Sequence, residues 1–297
     1  MYSASGQNLN VMEHHVANLG VAVTAMVFLA RFASPQYLRL FAPIAYVLGI
    51  VLLVIVDFTG HVGKGAQRWL DIAFIRFQPS EIMKLAVPMV CAWYMHERPQ
   101  PPAFKDLVIL ALLIAVPTAL IVKQPDLGTA LLIASAGLIV VLLAGLQVSI
   151  ILASIPVLAG VAWAGWHFMH EYQRQRVLTF LNPQNDPLGT GYHIIQSQIA
   201  IGSGGVFGKG YMNGSQAQLE FLPERSTDFI FAVIGEEFGL LGQLLVLTLY
   251  GVIIGRALYM AMQAQDTFSR LTGGAIALSF FVYVFVNSGM VSGILPV

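Results

Sequence analysis

The chain has 297 residues, 57% of them hydrophobic and only 10% charged, against roughly 25% charged in soluble domains. Its mean hydropathy of +0.74 excludes a water-soluble globule. Lys plus Arg and Asp plus Glu both number 15, so no basic field is available for nucleic acid. A single cysteine, Cys91, leaves no disulfide and no cysteine-based metal site, and reads as a small buried hydrophobe.

Apolar runs of about 18 residues or more recur, long enough to cross a hydrocarbon core of roughly 30 Å as helices. In chain order the expected membrane segments are 17–33, 41–58, 80–96, 106–123, 127–146, 148–169, 228–262 and 270–294, eight in all. The fold class that follows is an all-α polytopic membrane protein, with 1–297 as one domain. The start, Met1 to Asn18, is polar and lacks the basic-then-apolar order of a signal peptide. The strongest breaks are Ser34-Pro35, the polar stretch 59–79, Arg98-Pro-Gln-Pro-Pro102, Gln124-Pro125 and the segment 171–226. That last segment is rich in turn signals and is expected to form a large extracytoplasmic loop.

Alternating the loops across the membrane puts Arg31, Arg39, Arg98, Lys105, Arg256 and Arg270 on one side. The other side receives Lys64, Arg68, Arg76, Lys123, Arg174, Arg176, Lys209 and Arg225, while Lys84 lies within a helix. With the long segment left out, the first side is the richer and is expected to be cytoplasmic, because the orientation rule counts short loops. Cations on the opposite side then call for a reason, either an anionic ligand such as a lipid phosphate or chance.

The first candidate chemistry precedes and opens the third segment. Arg68 and Trp69 lie in Gly65-Ala-Gln-Arg-Trp-Leu-Asp71, and Arg76-Phe-Gln-Pro-Ser-Glu-Ile-Met-Lys84 follows. Pro79 suits the first helical position, with Gln78 before it and Glu81 in the first turn at the positive end of the helix dipole. Glu81 and Lys84 share a face at i, i+3. A charged pair at membrane depth is either functional or an ion pair that holds helices together. Lys123-Gln-Pro-Asp-Leu-Gly-Thr129 repeats the device, with Gln124 before the proline and Asp126 as either a cap or a site residue.

Within 171–226, Tyr172-Gln-Arg-Gln-Arg-Val177 and Gly189-Thr-Gly-Tyr-His-Ile-Ile-Gln-Ser197 mix aromatics, amides and cations. Such mixtures suit sugar hydroxyls and phosphates and equally describe a folded surface loop. Lys209, between Gly208 and Gly210, sits where backbone can approach a phosphate. His193 is a lone histidine, and no zinc spacing or nucleophile motif appears. Finally Ser226-Thr-Asp228 runs straight into an apolar segment. Asp228 is expected in the first helical turn, capped by Ser226 or Thr227, as either a general base at the water–membrane junction or a helix cap. Gly235-x-x-x-Gly239 offers a close packing face, and one of Glu236 and Glu237 is expected to face the bundle.

Several blocks, in order, resemble the SEDS family (shape, elongation, division and sporulation), and its elongation branch most. They are Lys64-Gly-Ala-Gln-Arg-Trp-Leu-Asp71, Arg76-Phe-Gln-Pro-Ser-Glu-Ile, Gln124-Pro-Asp-Leu-Gly-Thr129, Tyr172-Gln-Arg-Gln-Arg-Val177 and Gly191-Tyr-His-Ile-Ile-Gln-Ser197, then Ile201-Gly-Ser-Gly-Gly205, Phe221-Leu-Pro-Glu-Arg-Ser-Thr-Asp-Phe-Ile-Phe231 and Met290-Val-Ser-Gly-Ile-Leu-Pro296. The resemblance implies a ten-helix inner-membrane peptidoglycan glycosyltransferase, active at the periplasmic face, that polymerises lipid II onto a lipid-linked glycan strand. It also implies a class B penicillin-binding protein transpeptidase as partner within the elongation complex. The family's essential aspartate falls on Asp228, its Glu and Lys on Glu81 and Lys84, and its Gln-Pro-Asp aspartate on Asp126.

Arg68, Trp69, Arg76, Gln78, Gln124, His193 and Lys209 join these as expected substrate contacts. The resemblance further implies a divalent cation, Mg or Mn, with Asp126 and Glu81 as candidate ligands, and no organic cofactor. It places one family helix before Met1 and a Pro-Leu-x-Ser-Tyr-Gly-Gly-Ser motif with a final helix after Val297, so truncation at both ends is expected. A lipid II flippase and a structural scaffold for the transpeptidase are the rival readings.

Overall fold

The computed structural model describes residues 2–4, 6, 9–63, 66–72, 75–124, 126–146, scattered positions between 150 and 178, 190–218, 221 and 226–295. The described elements are α1 (Leu9–Phe32), α2 (Pro35–Thr59), β1 (His61–Gly63), β2 (Ala66–Ile72), β3 (Ile75–Phe77), α3 (Pro79–Met95), α4 (Phe104–Lys123), α5 (Leu127–Leu143), α6 (Thr190–Gly204), α7 (Ser215–Gln218), α8 (Ile230–Met262) and α9 (Thr267–Val291). Among the described residues α1, α2, α4, α8 and α9 are long and apolar enough to cross a membrane. α3 and α5 have 17 residues each. The expected segment 148–169 lies largely outside the described residues.

The helical expectation needs one correction. Within the polar stretch 59–79, residues 61–63, 66–72 and 75–77 form a three-stranded antiparallel sheet in the order β1-β2-β3. Its registers pair His61 with Trp69, Leu70 with Phe77 and Asp71 with Arg76. The physical reason is legible afterwards: Trp69, Leu70, Ile72, Ile75 and Phe77 are strand formers, and a two-residue connection returns β2 into β3.

Contacts gather into two compact units. One comprises Leu29–Ala153 and Ile253–Val282; the other comprises Met1–Phe28, Ser154–Val252 and Tyr283–Val297. In the first unit the core runs along α2 through Ala42, Tyr46 and Leu53, and along α3 through Met83, Ala86, Val87, Val90, Cys91 and Met95. These spacings of three and four residues keep one face of each helix turned inward. Gly49 continues the α2 stripe because Met83 packs where a side chain would stand: a Cβ there would lie 2.1 Å from the Met83 sulfur. Close backbone approach at small residues is the usual way membrane helices associate. Cys91 is buried, as expected.

In the second unit Ala200, Phe229, Ala232 and Val291 form a small core, and Ser197 donates its hydroxyl to the Val291 carbonyl at 2.8 Å. Outside these cores the long helices carry exposed Leu, Val, Ile and Phe; α1 buries no residue at all. Such a surface is an aggregation hazard in water and the normal surface of a protein in hydrocarbon.

Candidate active site

In the first unit five elements bring polar side chains to one end of the helices. Asp126 sits at the N-cap of α5, where one carboxylate oxygen accepts from the Thr129 amide at 3.2 Å. The other oxygen takes the Arg68 guanidinium from β2 at 3.4 Å and the Gln78 amide at 3.3 Å. Asp126 is therefore a helix cap, and the same carboxylate also joins the polar cluster with Arg68 and Gln78. Arg68 also donates to the Gln124 carbonyl at 3.4 Å. The Gln124 side chain, buried, donates to the Leu53 carbonyl at 2.9 Å and to Asp57 at 3.0 Å. Asp57, at the end of α2, pairs with Lys123 at 3.1 Å.

Glu81 and Lys84 pair at 2.7 Å on α3, with side-chain exposures of 53% and 23%. They are thus a local ion pair on a helix face that the rest of the protein only partly covers. Trp69 is exposed on β2, next to Arg68. Arg76 lies on β3 and His193 on α6, but their side chains are outside the described set. Lys64, Tyr172, Arg176 and Arg225 also lie outside the described residues.

The second unit holds Asp228. It lies in the turn 226–229, and α8 begins only at Ile230. The expected first helical turn is displaced because Ile230 first closes a turn back onto the Thr227 carbonyl at 3.4 Å, with helical bonds starting from Phe229. The Asp228 carbonyl accepts from the Asn287 side chain of α9 at 3.1 Å, which pins the backbone. The side chain is exposed, and among the described residues no donor holds its carboxylate. A cavity of about 280 Å³ borders Ser226 and Thr227, with Val11, His14 and His15 of α1 on its wall. Sequence reading missed these two histidines, since a helix-face placement was not assigned to 9–16.

Lys209, an expected substrate contact, places its ammonium 2.7 Å from Glu236, which is fully buried. Glu236 also accepts from the Ser215 hydroxyl at 3.1 Å and the Gln216 amide at 3.1 Å. Glu237, buried too, accepts from the Met212 amide at 3.1 Å and from the Ser3 hydroxyl. Gly239 explains why both acids face inward. Its φ of 66° breaks α8, so the Glu236 and Glu237 carbonyls lose the Leu240 and Leu241 amides. The loop satisfies all four freed groups: Lys209 and Gly210 donate to those carbonyls at 3.0 Å each, and Leu240 and Leu241 donate to the Gly205 and Val206 carbonyls at 2.9 and 3.2 Å. A helix break at membrane depth is tolerated where protein groups satisfy the freed backbone.

As ligands for a resident divalent cation, Asp126 and Glu81 fit poorly. Each already faces a cation of the protein, and among the described residues no three His, Cys, Asp or Glu come together as a metal site.

Membrane-length helices whose charges gather where helices begin, end or break define a multi-pass integral membrane protein with polar clusters at helix ends. Residues 1–297 match the family model for the cell cycle protein family FtsW/RodA/SpoVE, and the chain belongs to that family. It is 51% identical over 298 aligned positions to the peptidoglycan glycosyltransferase MrdB of Escherichia coli K12, covering 100% of this chain and 80% of the relative. A solved chain described in connection with a peptidoglycan synthase complex that coordinates polymerization and crosslinking superposes with a TM-score of 0.80 at 34% identity, covering 95% of this chain and 79% of the other. A mutant of the rod shape determining protein RodA from Thermus thermophilus superposes at 0.71 with 25% identity, covering 100% of this chain and 80% of the other.

Proposed function

We infer that this protein is a peptidoglycan glycosyltransferase of the bacterial inner membrane. It polymerises lipid II into glycan strands for cell elongation and rod-shape maintenance, together with a class B penicillin-binding protein transpeptidase. The observation that carries the reading is the 51% identity over the full chain to a protein named for that activity. The chain is taken as one membrane domain, because it passes between its two units at Phe28/Leu29, Ala153/Ser154, Val252/Ile253 and Val282/Tyr283. Eight crossings are proposed: the five long helices, the shorter α3 and α5, and 148–169. Arg39, Arg98, Lys105, Arg256 and Arg270 then face the cytoplasm, and Arg68, Asp126 and Asp228 face the periplasm.

Asp228 is proposed as the general base. Its carboxylate accepts the proton of the GlcNAc 4-hydroxyl of one lipid II, and that oxygen attacks C1 of the MurNAc at the lipid-linked end of the strand. The C1–O bond to undecaprenyl diphosphate breaks with inversion, and the diphosphate leaves with the bonding pair. An exposed carboxylate that no described donor occupies supports this role, because a base needs a free lone pair. Positioned proton transfer contributes roughly 10²–10⁴-fold, and cations near the leaving diphosphate contribute at least comparably. Arg68, Arg76 and Lys84 are the proposed candidates. A divalent cation, Mg or Mn, would enter on the substrate diphosphate. Full-length protein incubated with labelled lipid II should make glycan chains, and Asp228→Asn should make none. Normal polymerisation by that variant would remove Asp228 from the base role.

A further inference from the structure

α3 is about 25 Å long at ~1.5 Å per residue, so its two ends stand at opposite boundaries of the apolar span. The Arg68–Asp126 cluster occupies one end. At the other, a cavity of about 570 Å³ is lined by Arg39, Trp93, Tyr94, His96, Glu97 and Arg98. α2 delivers Arg39 from its second turn, and the end of α3 delivers the rest. Arg98 lies 3.9 Å over the Tyr94 ring and pairs with Asp106 at 2.8 Å, yet its side chain stays 43% exposed, so part of its donor fork faces the opening. Arg39 meets the His96 ring rather than a carboxylate. The other His96 ring nitrogen, Nδ1, is buried without a hydrogen-bond partner. Trp93 is exposed beside them, and so are Leu40, Phe41 and Phe104.

We propose that this cavity binds the phosphate of an anionic phospholipid from the leaflet opposite the candidate active site. Two guanidiniums converging on one opening match a phosphodiester, since each can donate two parallel N–H groups to its oxygens. An exposed indole at the same level suits the headgroup boundary. The apolar side chains of α2 and α4 next to Arg39 and Asp106 give acyl chains a surface, which a free phosphate would not use. The site does not depend on the role given to Asp228.

The test is native mass spectrometry of the full-length protein in detergent with equal amounts of phosphatidylglycerol and phosphatidylcholine. Wild type should retain phosphatidylglycerol about ten-fold in preference, the size expected for one charge-assisted contact. Arg39→Gln should bring the two lipids to near parity, while Arg39→Lys keeps the charge but not the fork and retains only part of the preference, and Arg256→Gln leaves it intact. Equal retention of both lipids by wild type, or a preference that survives Arg39→Gln undiminished, overturns the proposal. Excess inorganic phosphate that strips phosphatidylglycerol from wild type would assign the site to a soluble phosphate and overturn the lipid.

Discussion

Lys209 offers the sharpest separation between a substrate contact and a structural one. Its ammonium touches Glu236 at 2.7 Å, and the two side chains are 30% and 0% exposed. Lys209→Met leaves a fully enclosed carboxylate whose partners among the described residues are the Ser215 hydroxyl and the Gln216 amide. Removing one member of a buried pair costs about 3–5 kcal/mol; the two remaining donors put this case near the lower figure, about 3 kcal/mol. Glu236→Gln strands Lys209 instead, but that side chain can turn to water, so about 1–2 kcal/mol is expected. The double variant should recover most of the loss. Thermal melts in one detergent should therefore rank wild type, double variant or Glu236→Gln, and Lys209→Met in falling order. The largest drop should be about 6–10 °C. If Lys209→Met melts like wild type and yet makes no glycan from lipid II, the ammonium serves the substrate and the structural assignment is wrong.

Gly239→Ala should destabilise by about 1–2 kcal/mol from its positive φ alone, and by more because its Cβ would lie 2.4 Å from the Gly208 nitrogen; faster proteolysis within 205–216 checks this. Gly49→Leu must displace Met83 and should cost about 1–3 kcal/mol as overpacking, read as a lower melting temperature with the same helix content by circular dichroism. Asp126→Asn keeps an effective N-cap but loses the Arg68 ion pair, so the melt should shift little while glycan synthesis falls; an unchanged rate removes Arg68–Asp126 from the site. Burial pushes the Asp266 carboxyl up, but the Ser269 amide at 2.9 Å and the nearby His96 outweigh it and hold the group below the usual carboxylate range. A depressed value means stability present above the ordinary carboxylate pKa and lost as pH falls through the lower, folded one. Asp266→Asn should flatten that part of an acid melting series.

The starts of α3 and α5 were legible because their cause is local. Pro79 stands at the first helical position of α3, where its missing N–H is harmless, and Asp126 caps α5, which begins at Leu127. The Glu81–Lys84 pair followed from spacing on one helix face. What failed was everything set by distant partners. Asp57 reads as a polar residue ending an apolar run until Gln124, 67 positions away, is brought beside it. Glu236 and Glu237 are adjacent, so an unbroken helix would turn them about 100° apart and bury one; the break at Gly239 and the loop around it enclose both. The sheet at 61–77 was hidden because Lys64, Gln67, Arg68 and Asp71 give it a loop's composition.

The distribution of ion pairs also bears on which acid can do chemistry. Asp57, Glu81, Asp106, Asp126, Glu171 and Glu236 each have a cation within ion-pair distance. Those pairs follow from the solvent: a carboxylate at the edge of hydrocarbon is tolerated when it is paired. Pairing also occupies carboxylate oxygens with the partner's N–H donors. A carboxylate proposed as the base needs an oxygen that such a donor does not occupy. Asp228 stands in the turn before α8, with its backbone held by Asn287 and its carboxylate exposed. The immobilised backbone fixes where the carboxylate points from, and in the proposed reaction its exposure leaves a lone pair for the substrate hydroxyl. Asn287→Leu tests that division of labour: it should lower kcat by loosening the turn while Asp228 itself is unaltered, and a wild-type kcat in that variant would mean the anchor is not used.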